Sequence, residues 1–89
     1  MNKSAAIAKF FKDEVDEKSY YVIPKDIEEQ RDVSKTVIRN AINTMVSMGY
    51  RLYYVQTDPK KATSVGKILV PSGTTYHSII ERKDEIFKD

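Results

Sequence analysis

Apolar residues recur at helical spacing in the first part of the chain. Ile7, Phe10, Phe11 and Val15 stand at i, i+3, i+4 and i+8, which places them on one side of an α-helix. Ser4 stands where an N-cap belongs, and the run Asp13-Glu14-Val15-Asp16-Glu17-Lys18 carries the helix to its end. Tyr20-Tyr21-Val22-Ile23 follows, a strand-forming run closed by Pro24. It is short enough to be a single edge strand or an extended linker. Residues 24–31 read as a short helix. Pro24 suits its first turn, Asp26 and Glu28 suit the positive end of its dipole, and Ile27 is its apolar anchor. Asp32 and Val33 then make a tight turn, and Ser34 caps the next helix.

That third helix has the clearest two-sided pattern. Val37, Ile38, Ala41, Ile42, Met45, Val46 and Met48 cluster on one side, and Thr36, Arg39, Asn40, Asn43 and Ser47 fall on the other. Gly49 occupies the position of a C-cap glycine. Residues 50–56 read as a strand, Asp58-Pro59 starts a turn, and residues 60–66 are polar, basic and mobile in character. Lys67-Ile68-Leu69-Val70 returns as the partner strand, closed by Pro71-Ser72-Gly73. The tail has two readings. Tyr76, Ile79, Ile80 and Phe87 fit one helical stripe, which is preferred, and residues 74–80 also read as a strand leading into a helix from Arg82. This order of elements predicts an α+β fold of the winged helix-turn-helix type, with three helices, a β-hairpin wing and a possible C-terminal helix, in one domain over residues 1–89.

Composition narrows the function. Eighty-nine residues build one modest core, and the absence of cysteine excludes disulfides and thiolate metal sites, which fits a reducing cytoplasm. The N-terminal apolar run is too short for a signal peptide, and no stretch approaches the roughly 20 apolar residues of a membrane span. Net charge is only +2, but it is unevenly spread. Residues 1–30 hold five Lys/Arg against seven Asp/Glu, residues 31–67 hold seven against two, and residues 68–89 hold three against four. The middle third is therefore a local basic surface, suited to a polyanion.

The polar side of the third helix has no acidic residue. That is the requirement for a helix lying in a DNA major groove, where phosphates close in on both sides and side chains must donate to and accept from base edges. Thr36, Arg39, Asn40 and Asn43 are the candidate base-reading set on the helix of residues 34–48. Lys35 and Ser34, with the free amides of the first turn, are candidates for phosphate. The wing, residues 58–67, adds Lys60, Lys61 and Lys67 for backbone phosphates. Arg51 at the start of the strand is a further candidate.

Other chemistry has little support. His77 is the only histidine, so no zinc site assembles around it. The carboxylates of residues 13–17 form a solvated run, and three glycines make no phosphate loop. Tyr20, Tyr21, Tyr53 and Tyr54 suggest stacking on single-stranded bases, but strand alternation sends about half of them to the core. No enzyme activity, cofactor, metal or small-molecule effector is expected.

Val33-Ser34-Lys35-Thr36-Val37-Ile38-Arg39-Asn40-Ala41-Ile42, continuing to Ser47-Met48-Gly49, resembles the helix-turn-helix segment of the CodY family of pleiotropic repressors. Gly73-Thr74-Thr75-Tyr76 is similar to the Gly-Thr-Tyr element of that family's wing, with one residue more. The resemblance covers residues 22–50 and, loosely, the tail. It implies a winged helix-turn-helix that binds DNA through residues 34–43. It does not extend to that family's effector-sensing domain, so sensing of GTP or branched-chain amino acids is not implied. The longer segment between Gly49 and Gly73 departs from the family pattern.

The expected partner is double-stranded DNA, and the expected role is transcriptional repression. A single module covers about 600–1,000 Å² of interface, so a homodimer or tandem binding is expected, with Phe10 and Phe11 or Ile86 and Phe87 as the dimer surface. Two alternatives use the same scaffold: a plasmid or phage accessory protein for replication, partition or transfer, and a protein-interaction module. The latter would carry exposed apolar side chains on the third helix.

Overall fold

The computed structural model describes residues 2–88. Its elements run α1 (Lys3–Lys18), β1 (Tyr21–Ile23), α2 (Ile27–Arg31), α3 (Lys35–Ser47), β2 (Arg51–Gln56), β3 (Val65–Val70), α4 (Tyr76–Glu81) and α5 (Lys83–Ile86). The strands form one antiparallel sheet in the order β1-β3-β2, so the last strand in sequence is central. Tyr21 lies opposite Leu69, and Tyr54 lies opposite Lys67.

Strand side chains alternate between faces, and both faces of this sheet are covered. One packs Ile23, Leu52 and Leu69 against Phe11 and Val15 of α1, Ile27 of α2, and Ile38, Ala41 and Met45 of α3. The other packs Val55, Ile68 and Val70 against Ile79 of α4 and Ile86 of α5, with Tyr53 and Phe87 alongside. Two-sided burial explains why Ile68-Leu69-Val70 is an unbroken apolar run, whereas in β2 only Val55 is fully buried.

Local chemistry fixes the helix ends. The side chain of Asn2 caps α1, accepting from the Ala5 amide at 2.7 Å, so the cap lies two residues before Ser4, the residue expected to provide it. Ser19 ends α1 in the left-handed conformation, with φ of 70°. Pro24 stands outside α2, and its carbonyl accepts from the Ile27 amide at 3.1 Å. Ser34 caps α3 as expected, its hydroxyl accepting from the Val37 amide at 3.2 Å. Gly49 follows α3 with φ of 101°, a conformation that disfavours any side chain.

Two open readings are settled and other expectations are corrected. The short Tyr21–Ile23 run is a true edge strand rather than a linker. β3 begins at Val65, two residues before the expected Lys67, because Gln56 pairs with Val65 and Val55 with Gly66. The loop of residues 57–64 is closed by its own hydrogen bonds rather than being a free polar tip. The Thr57 amide donates to the Ser64 carbonyl at 2.8 Å, and Asp58 accepts from the Lys60 amide at 2.9 Å. Of the tail's two readings the preferred helix holds from Tyr76, with the Thr75 hydroxyl as cap, so residues 73–75 form a turn and cap rather than a strand. Of the side chains expected to form a dimer surface, Phe11 and Ile86 are buried within the fold, and Phe10 and Phe87 are partly buried against the two cores.

Gly66 is explained by close approach. A Cβ built there would lie 2.5 Å from Cε1 of Phe87 and 3.2 Å from Cγ2 of Thr57. Gly66→Ala is expected to destabilise the fold by about 1–3 kcal/mol through overpacking. The loss should shrink in a Phe87→Ala background, a coupling that urea unfolding of the double-mutant cycle measures.

A second link ties α1 to the start of the hairpin. The Tyr50 hydroxyl donates to Asp16 Oδ1 at 2.6 Å, and Lys12 Nζ lies 2.6 Å from Oδ2 of the same carboxylate. The Lys12 ammonium first, and the Tyr50 phenol second, hold the Asp16 carboxyl below its ordinary range. A depressed carboxyl pKa stabilises the fold above the unfolded-state value, and that contribution disappears as pH falls through the folded-state value. Asp16→Asn should therefore lower the urea midpoint at pH 7, and the difference from wild type should shrink as pH falls below the ordinary carboxylate range.

Candidate nucleic-acid interface

The turn between α2 and α3 fixes the direction of α3. Asp32 ends α2 in the left-handed conformation, with φ of 51°, and the Val33 amide donates to the Glu28 carbonyl at 3.0 Å. Ser34 then starts α3 at once, so only three residues separate the two helices. Ile38, Ala41 and Met45 anchor one side of α3 in the core. Their burial turns Thr36, Arg39, Asn40, Asn43 and Ser47 outward, and all five are exposed as expected.

The hydroxyls at the end of α3 are satisfied within the helix. Thr44 donates to the Asn40 carbonyl at 3.0 Å, and Ser47 donates to the Thr44 carbonyl at 2.7 Å. Among the described residues the ion pairs lie on α1 (Lys9–Asp13, Lys12–Asp16, Lys18–Glu14) and in the tail (His77–Glu81, Arg82–Glu85). None involves α3 or the hairpin. Lys35, Arg39, Arg51, Lys60, Lys61 and Lys67 are thus exposed cations with no carboxylate partner among the described residues. Arg31, the remaining cation of the middle segment, lies over the Phe10 ring at 3.6 Å, which directs it toward α1.

A groove of about 620 Å³ runs between α3 and the hairpin. Lys35, Arg39 and Asn43 line it from α3, and Lys67 lines it from β3. Lys67 stands opposite Tyr54 in the sheet, with its ammonium 5.9 Å from the Tyr54 ring centre. These four of the ten candidate residues are brought to one place. Thr36 and Asn40 share the exposed helix surface outside the groove, and Ser34 is at its capping position. Lys60 and Lys61 lie on the loop, while Arg51 opens β2 opposite Val70, and none of these three lines the groove.

Three further polar lining residues lie outside the duplex-binding set read from the sequence: Lys25, Thr63 and Tyr54, the last considered there only for stacking on single-stranded bases. Strand alternation carried the signal for Tyr54, since it shares parity with Leu52 and so faces the helices, beyond the reach of the core. Lys25 has no such signal, because its place depends on the chain reversal after Pro24. Glu28 also lines the groove, an acidic residue in an otherwise cationic rim.

The apolar side of α3 is narrower than its sequence pattern. Val46 is 47% exposed and Met48 is 49% exposed. Val46 stands about 100° round the helix from Met45, and Met48 lies past the last helical residue. Among the described residues no helix is long and apolar enough to cross a membrane. No group of three His, Cys, Asp or Glu side chains among them is placed to hold a metal ion.

No protein-family model, curated protein or solved structure matches the chain. The resemblance over residues 22–50 is therefore one of motif, and no family is assigned.

The exposed set can be separated from the stabilising one by unfolding. Alanine at Arg39, Asn40 or Asn43 should change stability by no more than about 0.5 kcal/mol. Ser34→Ala, which removes the cap, should cost about 1 kcal/mol in the same urea titration.

Proposed function

We propose that this chain is a winged helix-turn-helix protein that binds double-stranded DNA and acts as a small transcriptional repressor. The order of three helices followed by a hairpin, with the sheet order β1-β3-β2, supports the winged-helix reading. The observation that carries the function is the partition of charge: ion pairs on α1 and in the tail, and unpaired Lys35, Arg39 and Lys67 beside an outward-facing row of Thr36, Asn40 and Asn43.

In this reading α3 enters the major groove. Arg39 donates two hydrogen bonds to a guanine edge, and Asn40 or Asn43 pairs with an adenine edge. Lys35 and the first-turn amides of α3 meet one phosphate, and Lys60, Lys61 and Lys67 track the adjacent backbone. A plasmid or phage accessory role in replication, partition or transfer would use the same surface.

A protein-interaction module is the second reading, and exposed Val46 and Met48 favour it. Both stand at the end of α3 opposite Lys35 and neither lines the groove, so they do not account for the unpaired cations.

Fluorescence anisotropy with a random-sequence duplex tests the proposal. Four phosphate contacts predict a log–log salt slope of roughly −3.6. Arg39→Ala should weaken binding to a selected site by about 1–3 kcal/mol. A duplex that does not bind even at low salt removes the DNA reading and favours a protein partner.

A further inference from the structure

The groove between α3 and the hairpin has a rim and a floor of different chemistry. The rim is cationic, with Lys35 and Arg39 on one side and Lys67 on the other. The floor is aliphatic: Ile42, Leu52 and Val65 line it and remain only partly covered. Tyr54, 58% exposed, forms part of the wall beneath Lys67. A DNA backbone passing here would satisfy the rim and leave the aliphatic floor in contact with water or sugar. The volume of about 620 Å³ falls among small-molecule sites, which span roughly 300–1,000 Å³.

From this pairing we infer that the groove binds a small amphipathic organic anion, a monocarboxylate with an aliphatic or aromatic body. The body covers Ile42, Leu52 and Val65, which removes apolar surface from water. The carboxylate accepts hydrogen bonds from the rim, where charge assistance makes each contact stronger than a neutral one. Glu28 is the one acidic residue among the described lining, set against Lys25, Lys35, Arg39 and Lys67, so the groove keeps a positive balance that attracts an anion. Lys35 and Arg39 belong to both the groove and the outward face of α3. Ligand and duplex therefore exclude one another, a regulatory consequence that rests on the DNA-binding reading; the anion site itself does not.

Decanoate is the probe, titrated into the full chain and followed by amide and side-chain NMR shifts. Decyltrimethylammonium, with the same chain and the opposite charge, serves as control. Saturable shifts should concentrate on Arg39, Ile42, Leu52, Tyr54 and Lys67, with no matching response to the cation. Lys67→Ala should weaken decanoate binding about tenfold, the loss of one charge-assisted contact. Lys9→Ala, an exposed lysine of α1 outside the groove and outside the candidate contacts, should leave it unchanged, and both are exposed positions whose replacement preserves the fold. Absence of shifts at millimolar decanoate, equal binding of the cation, or shifts centred on Val46 and Met48 would overturn the site. Duplex binding without decanoate binding overturns the site alone and leaves the DNA reading standing. Decanoate binding without duplex binding supports the site and overturns the competition.

Discussion

β3 is the element on which the rest of the structure depends. It is the central strand, and Ile68, Leu69 and Val70 are almost completely buried on alternating faces. Leu69 belongs to the core under α1, α2 and α3, while Ile68 and Val70 belong to the core under α4 and α5. All three strands contribute to both apolar clusters, but in this three-residue segment every side chain is buried. A strand buried on both faces must also satisfy its backbone on both edges, and pairing with β1 on one side and β2 on the other does that. The position of α3 follows. Its buried side chains Ile38, Ala41 and Met45 must meet the Leu69 face, which leaves its Arg39 and Asn40 side outside.

Charge is divided by the same geometry. α1 is polar on its outer side and carries three ion pairs at i,i+4 spacing, all of them solvent-exposed. Such pairs contribute little to stability, but they neutralise α1 and leave no excess of either sign there. α3 has no carboxylate at any helical position, so Lys35 and Arg39 have no neighbour of opposite sign along the helix. Pairing from the hairpin is also blocked, because β3 presents Lys67 and β2 presents Tyr54 on the face toward α3. The basic surface thus results from which residues are absent as much as from which are present.

The sequence pattern revealed the elements better than their meeting points. Helix α3 was legible because its apolar spacing, Ser34 cap and Gly49 terminus all agree, and β2 because Leu52-Tyr53-Tyr54-Val55 is a run of strand-forming residues. β3 was legible only from Lys67 onward. Val65-Gly66 looks like turn chemistry until the register across from Val55 and Gln56 is known. The Asn2 cap was passed over because Ser4 is an equally good cap type two residues later, and only the backbone decides between them. Apolar spacing put Val46 and Met48 on the buried side, because spacing counts residues but does not know where the partner surface ends. Among the candidate contacts, those on α3 followed from periodicity. The gathering of Lys67 with Arg39 and Asn43 required the crossing of two distant elements, which no local pattern encodes.

Gly66 shows how stability and the candidate site are joined. Its missing side chain lets the Phe87 ring press on β3 from the tail, on the face away from α3. Lys67, the next residue, points the opposite way, toward the groove. The tail therefore supports from behind the stretch of strand that presents Lys67 and Tyr54. A larger residue at position 66 must displace either the ring or the strand, and moving the strand shifts the hairpin wall relative to α3. Distance between the cations of α3 and Lys67 is thus set by packing on the far side of the sheet. A change at Phe87, which touches no candidate contact, should alter the groove as well as the stability of the fold.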